Sequence, residues 1–213
     1  MEVLAKCKKT LIEPGTYAAR CYSVVHTGTR EYDYQGQKKT SDNIRISFEM
    51  PTELEIFNPK KGAQPFTISK SFNLSLAPSS HLRPFLVSWR GIPFTEEELL
   101  SFNVAKLVGV ECLINIIKGK EKRAIAGVSK LPKGMFCPAA INPPLIYSVN
   151  HHDQSIFDSF PEFLKTEIMN SKEFLALKNY SNMNNESEKM ETGRDTEWEI
   201  EREREDDLPD FMK

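Results

Sequence analysis

Residues 65–91 restrict the fold more than any other stretch, because the hydrophobic period changes there from two to nearly four. Phe66, Ile68, Phe72, Leu74 and Leu76 fall on one side, and Thr67, Ser69, Ser71, Asn73 and Ser75 on the other. This is the pattern of a strand with one buried face. Lys70 interrupts the apolar side, so a bulge or strand end is expected near it. Beyond Pro78, Leu82, Phe85, Leu86 and Trp89 recur at i, i+3, i+4 and i+7, one face of a short helix that Gly91 is suited to end. Pro84 fits such a helix only in its first turn. A strand that hands over to a helix, with strands on both sides, predicts the middle of a small barrel.

The flanking segments supply those strands. Glu13-Pro-Gly15 reads as a turn and residues 16–26 as a first strand. Residues 42–50 alternate, with Ile44, Ile46 and Phe48 inward and Asn43, Arg45, Ser47 and Glu49 outward. Between these two strands, residues 27–41 form a loop punctuated by Gly28 and Gly36, and residues 51–64 form a long connection. Thr95-Glu-Glu-Glu98 has the form of a capping box. Residues 107–117 and 124–130 give a fourth and a fifth strand around the hairpin tip Lys118-Gly-Lys-Glu-Lys-Arg123. Five strands with a helix between the third and fourth is the order of an OB-fold, a partly open Greek-key barrel, over residues 1–150. Another small barrel or sandwich with a helical addition has the same periodicity.

A helical extension follows over residues 151–180. Ser159-Phe-Pro-Glu162 again resembles a capping box, with Phe160, Phe163, Leu164 and Ile168 as its apolar stripe. Ser171 could cap a second helix that buries Phe174, Leu175 and Leu177. Both helices are expected to pack on the barrel. From residue 181 the composition turns to Asn, Ser, Glu and Arg, and residues 181–213 are expected to be a disordered acidic tail. The net charge of −2 hides this division, since the tail carries 12 acidic and 5 basic residues while residues 1–180 carry 18 acidic and 23 basic. A basic body thus bears an acidic arm.

Several classes receive no support. No run of about 18 apolar residues suggests a membrane span, and the N-terminus lacks a signal-peptide apolar block, so a cytoplasmic protein is expected. Cys7, Cys21, Cys112 and Cys137 form no C-x-x-C pair and read as reduced thiols, not as metal ligands. Phosphate-binding, dinucleotide-binding, zinc-protease and serine-hydrolase motifs are all missing. His151-His152-Asp153 reads as polar residues on the surface beside a Pro-rich connector. Neither a cofactor nor a catalytic activity is expected.

The two hairpins are the suggestive groups. The first carries Arg30, Tyr32, Tyr34, Lys38 and Lys39, and the second Lys118, Lys120, Lys122 and Arg123, with Arg45 outward on the strand between them. Cations along a phosphate backbone and flat aromatic faces for bases are what single-stranded nucleic acid requires. Both hairpins are expected on one side of the barrel, gripping an unpaired strand. Phe48, Phe66, Phe72, Phe85 and Trp89 are spaced as core residues. Tyr17 and Tyr22 fall on opposite faces of the first strand, and either could be the solvent-facing one.

In the tail, Leu208, Pro209 and Phe211 form a small apolar hook among acids. The string Asp206-Asp-Leu-Pro-Asp-Phe211 resembles the acidic tip of bacterial and phage single-stranded-DNA-binding proteins, departing from it in Asp210 and in the Met212-Lys213 that follows. The body is similar to small phage and prophage proteins of replication–recombination cassettes. The matching stretches are Pro14-Gly-Thr-Tyr17, Ile68-Ser-Lys70, Leu74-Ser-Leu76, Ser88-Trp-Arg-Gly91, Phe94-Thr-Glu-Glu-Glu-Leu99 and Leu131-Pro-Lys-Gly134. This resemblance implies a protein that coats single-stranded DNA during phage replication or recombination in the bacterial host's cytoplasm. Asp206, Asp207, Leu208, Pro209 and Phe211 would then recruit replication or recombination proteins, or restrain DNA binding, and self-association is compatible with the role. A phage interaction adaptor without DNA affinity and a metal-dependent nuclease are the alternatives.

Overall fold

A computed structural model describes residues 10–120 and 122–180; the expectations for Cys7 and for the acidic tail lie outside the described residues. Six strands run as β1 Gly15–Tyr34, β2 Gln37–Asn58, β3 Gly62–Asn73, β4 Glu111–Lys118, β5 Arg123–Ser129 and β6 Leu145–Ser148. Between β3 and β4 lie α1 Leu82–Arg90 and α2 Glu96–Ser101, and after β6 come α3 Gln154–Asp158 and α4 Glu162–Met169, with residues 172–180 also helical. The strand order is β3-β2-β1-β4-β5, antiparallel throughout, and β6 joins β1 in parallel. No helix among the described residues is long and apolar enough to cross a membrane.

The fold is mainly β, but its sheet is open where a barrel was expected. No ladder joins β3 to β5. Lys70 accounts for the gap chemically: it stays in register opposite Ile46, with no bulge, and its ammonium reaches across to donate to the Ile125 carbonyl at 3.2 Å. An inward-pointing lysine at a strand edge solvates that edge with charge and blocks further pairing.

The strands also run further than their sequence pattern suggested. The stretch expected as a loop over residues 27–41 is a continuation of β1 and β2, turned by Gln35 (φ 53°) and Gly36 (φ 76°). Two consecutive left-handed residues match the twist of an antiparallel pair, and the Asp33 carboxylate accepts from the Gly36 N–H at 2.9 Å. Likewise β2 passes through Pro51 into the stretch expected as a connection, because Pro51 falls at a register shift between Met50 and Leu54 where no ladder bond is lost. The expected strand over residues 107–117 starts later. Residues 104–107 form a single 3₁₀ turn capped by Asn103, and β4 begins at Glu111.

The helix expectations divide. Leu82, Phe85, Leu86 and Trp89 are all buried, Pro84 sits in the first turn, and Gly91 ends α1 at φ 75°. Thr95 and Glu98 form the capping box of α2 in both directions. Ser159 does not start α4. It closes α3, its hydroxyl donating to the Ile156 carbonyl at 2.5 Å, and Pro161 takes the N-cap position of α4 without a side-chain bond. Ser171 does cap the last helix, accepting from the Phe174 N–H at 3.2 Å. Phe163, Leu175 and Leu177, expected to be buried, are exposed, because the packed face of these helices is set by Phe160, Leu164, Ile168 and Phe174.

Two cores lie on opposite faces of the sheet. The inner one joins Ile44, Ile46, Phe48 and Met50 of β2, all fully buried, to α1. Phe48 and Trp89 meet with ring centroids 5.1 Å apart, and each such buried side chain contributes roughly 1.5–3 kcal/mol. Phe66, expected in this core, is only half-buried at its margin. The outer core sets Val25 of β1 against Tyr147, Val149, Phe157, Phe160, Leu164 and Ile168. Two polar staples hold the segment between β5 and β6. The Arg20 guanidinium donates to the Pro138 and Cys137 carbonyls at 3.0 and 2.9 Å. The buried Glu49 carboxylate accepts from the Ile141 and Asn142 N–H groups at 2.6 and 3.0 Å and from the Asn142 side-chain amide.

Candidate nucleic-acid interface

Side chains on a strand alternate between faces, so the register of β1 on β2 decides which residues can act together. Arg45, Ser47 and Glu49 point to the outer face, and in step with them so do Lys39, Ser41 and Asn43. Arg30 is paired with Ser41, Tyr32 with Lys39 and Tyr34 with Gln37. Arg30, Tyr32, Tyr34, Lys39 and Arg45 therefore share one face, while Lys38, opposite Asp33, is on the other.

The end of the sheet at which each hairpin lies corrects the expected grip. Gly15, the start of β1, pairs with Ile116 near the end of β4, while Tyr34, its other end, pairs with Gln37. The tip carrying Lys118, Lys120, Lys122 and Arg123 is thus at the opposite end of β1 from the tip carrying Tyr34 and Lys38. An antiparallel β1–β4 pair requires this, since the end of β4 must meet the beginning of β1. Facing the 118–123 hairpin is instead the β2–β3 arm, whose turn holds Lys60 and Lys61.

The expected cations are also unequal in availability. Arg30 is bound to Glu167 of α4 at 2.6 Å, and its buried Nε has no partner. Arg123 donates through Nε to the Ile12 carbonyl at 2.6 Å and pairs with Glu13 at 3.3 Å. Arg45 lies 5.1 Å from the centre of the Phe163 ring, and Lys39 sits 4.2 Å over Tyr34. Lys38, Lys118, Lys120 and Lys122 are exposed, as are Tyr32 and Tyr34.

A groove of 970 Å³ opens on the outer face. Tyr22, Arg45, Ser47, Thr67 and Ser69 of the sheet line it, and Ile56, Phe57 and Phe66 come from the β2–β3 arm. Pro161 precedes α4 as its N-cap, Phe163 lies in α4, and Lys122 comes from the β4–β5 hairpin. Phe57 and Phe66 meet edge to face at 5.0 Å. Burial pushes the Tyr22 phenol above its ordinary pKa, against the opposing effect of hydrogen bonds to Thr67 and Ser47, so it stays a neutral hydrogen-bonding group. Tyr22 and not Tyr17 is the outward tyrosine: Tyr17 packs on the inner core and donates to the Glu13 carbonyl at 2.8 Å.

Of the expected site, the groove brings together Arg45, Lys122 and Arg123. Ile56, Phe57, Phe66 and Phe163 were not among the expected site residues. The alternation Glu53, Leu54, Glu55, Ile56 was the available signal that β2 continues past Pro51.

Other polar clusters hold elements of the fold together. His26 is 2.6 Å from Asp42 and 3.0 Å from the Ser148 hydroxyl, the connectivity of a catalytic triad, but it is buried and ties β1, β2 and β6 together. His152 meets the Tyr147 hydroxyl at 2.7 Å, and Asp153 caps α3. Among the described residues no three His, Cys, Asp or Glu side chains are grouped so as to hold a metal ion. No protein family, curated protein or solved structure matches this chain.

Proposed function

We propose that the protein binds single-stranded nucleic acid, without sequence preference, along the outer-face groove, and that its open sheet is a variant of the OB architecture. The observation that carries this reading is the groove's composition. Aromatic rings on two sides, at Phe57 and Phe163, stand beside the cations Arg45 and Lys122. Rings give stacking that every base can use, worth roughly 1–3 kcal/mol per base, while cations hold phosphates in a salt-sensitive way. Hydroxyls from Tyr22, Ser47, Thr67 and Ser69 add hydrogen bonds without charge selectivity. Tyr32, Tyr34 and Lys39, on the same face beyond α4, would extend the track. The short sequence motifs of the body extend the proposal to phage replication or recombination in a bacterial host.

Titration of fluorescent oligo-dT at two salt concentrations, with duplex DNA as competitor, tests the reading. Tight binding that resists duplex and weakens with salt is expected. Arg45→Ala with Lys122→Ala should reduce affinity by about tenfold or more and flatten the salt slope by about 0.7 per lost phosphate contact. Lys118→Ala with Lys120→Ala, at the hairpin tip outside the groove, should act less. Absence of binding, or binding indifferent to salt, overturns the proposal. Metal-dependent loss of the oligonucleotide would point to a nuclease.

A second reading, a protein-interaction adaptor, draws on the β2–β3 arm, where Leu54, Ile56 and Phe57 are about half exposed on one projecting hairpin. Contiguous apolar exposure of this kind marks docking surfaces. Under that reading the oligonucleotide titration is flat.

A further inference from the structure

We infer that a second cleft, on the α1 side of the sheet, is a docking site for the chain's own acidic–apolar segment at residues 205–211. The cleft has a volume of 610 Å³ and shares no residue with the outer-face groove. Trp89, Ile92, Phe102, Leu107, Val110 and Leu131 give it an apolar lining, and Ile92 and Val110 remain 57% and 41% exposed. So much apolar surface in one concavity, with nothing of the described chain covering it, is a binding surface in waiting.

Charge decides what fits. Both carboxylates in the cleft are already matched: Glu98 is bonded to Arg90 at 2.6 Å and Glu111 to Arg20 at 3.2 Å. Lys106 and Lys130 are exposed on the rim, and neither forms an ion pair among the described residues. The site is therefore apolar with a surplus of positive charge at its edge. Its natural ligand is a short apolar peptide flanked by acids.

The sequence holds such a peptide. Leu208, Pro209 and Phe211 are set among Glu205, Asp206, Asp207 and Asp210. Roughly 27 residues separate Tyr180 from Leu208, a contour of up to about 90 Å, enough to reach any point on a body of this size. Leu208 and Phe211 would enter the lining, Pro209 would keep the peptide extended at low entropic cost, and the acids would meet Lys106 and Lys130. Because the cleft lies apart from the groove, this docking leaves the outer face open, and the inference holds whether or not that face binds nucleic acid.

Methyl-labelled NMR of the full chain tests it. Leu208→Ala with Phe211→Ala should shift the methyl signals of Ile92, Leu107, Val110 and Leu131 and leave those of Val25 and Leu164 in place. A synthetic peptide of residues 200–213 added to that variant should restore the original positions. Lys106→Glu with Lys130→Glu should make the restoration at least tenfold weaker in peptide concentration. Cleft methyls that do not move, or a peptide whose shifts map to Ile56 and Val25 on the outer face, overturn the inference.

Discussion

The guanidinium of Arg30 on β1 lies 2.6 Å from the Glu167 carboxylate on α4, and through this pair the C-terminal helices are tied to the outer face of the sheet. Glu167→Ala should cost about 1–3 kcal/mol, because it strands a guanidinium whose Nε is already buried without a partner. A lower urea midpoint with an unchanged m-value is the expected result. Glu162→Ala, which removes an exposed pair with Lys165, should leave the midpoint where it is.

Gly28 is a second tie. Its φ is +86°, and a Cβ there would come within 2.6 Å of the Glu173 carboxylate and 2.7 Å of Ser171. Gly28→Ala should therefore loosen the helix over residues 172–180, whose Glu173 accepts from the Thr29 N–H at 2.8 Å. Hydrogen exchange should quicken in residues 172–180 and at Thr29, with a stability loss of roughly 1–3 kcal/mol.

Glu49 tests the connector. Its fully buried carboxylate takes three donors from Ile141 and Asn142, so Glu49→Ala leaves those donors unsatisfied. A loss of about 2–4 kcal/mol is expected from thermal or urea unfolding. Glu49→Gln should fall between the two, since it keeps the shape but offers one acceptor oxygen.

Alkaline pH should destabilise the fold through its buried thiols. Burial pushes the Cys21 thiol up to about 12, and Cys112 is raised by burial and then by its thiol neighbours. A raised pKa means the folded state holds its proton longer than the unfolded chain does. The associated stability is complete below pH 9, the unfolded value, and is lost as pH climbs from there toward the folded value. The unfolding free energy from urea titrations should be level between pH 7 and 8.5 and then fall, by roughly 1.4 kcal/mol per pH unit per thiol. Cys112→Ala should flatten that decline even though it lowers stability at neutral pH.

Much of the inner half of the molecule could be read from the sequence, because there one side chain has one job. The i, i+3, i+4, i+7 set in α1, the Thr95–Glu98 capping box and the alternation of β2 are each enforced by local geometry and burial together. The outer half was harder. Ser159 and Glu162 have a cap's spacing, but the preceding α3 claims Ser159 as its end, a competition that spacing cannot reveal. Phe163 belongs to an apolar stripe and yet faces solvent over Arg45. For the candidate site, residue type pointed to the cations, while their grouping depended on register. A one-residue difference puts Lys38 and Lys39 on opposite faces, and only the pairing of β1 with both β2 and β4 tells which end of the sheet each hairpin occupies.

The central position of β1 has a consequence for how the protein is made. Its hairpin partner β2 follows directly, but its other edge must wait for β4 and then β6, and His26 meets Ser148 only across 122 positions of chain. On the ribosome, the first three strands emerge as a lopsided ribbon whose bare rim has no mate until most of the polypeptide has been translated. Partners so distant in sequence slow the search for the native state. The last short strand, β6, then closes four positions of that rim, from Ser23 to His26.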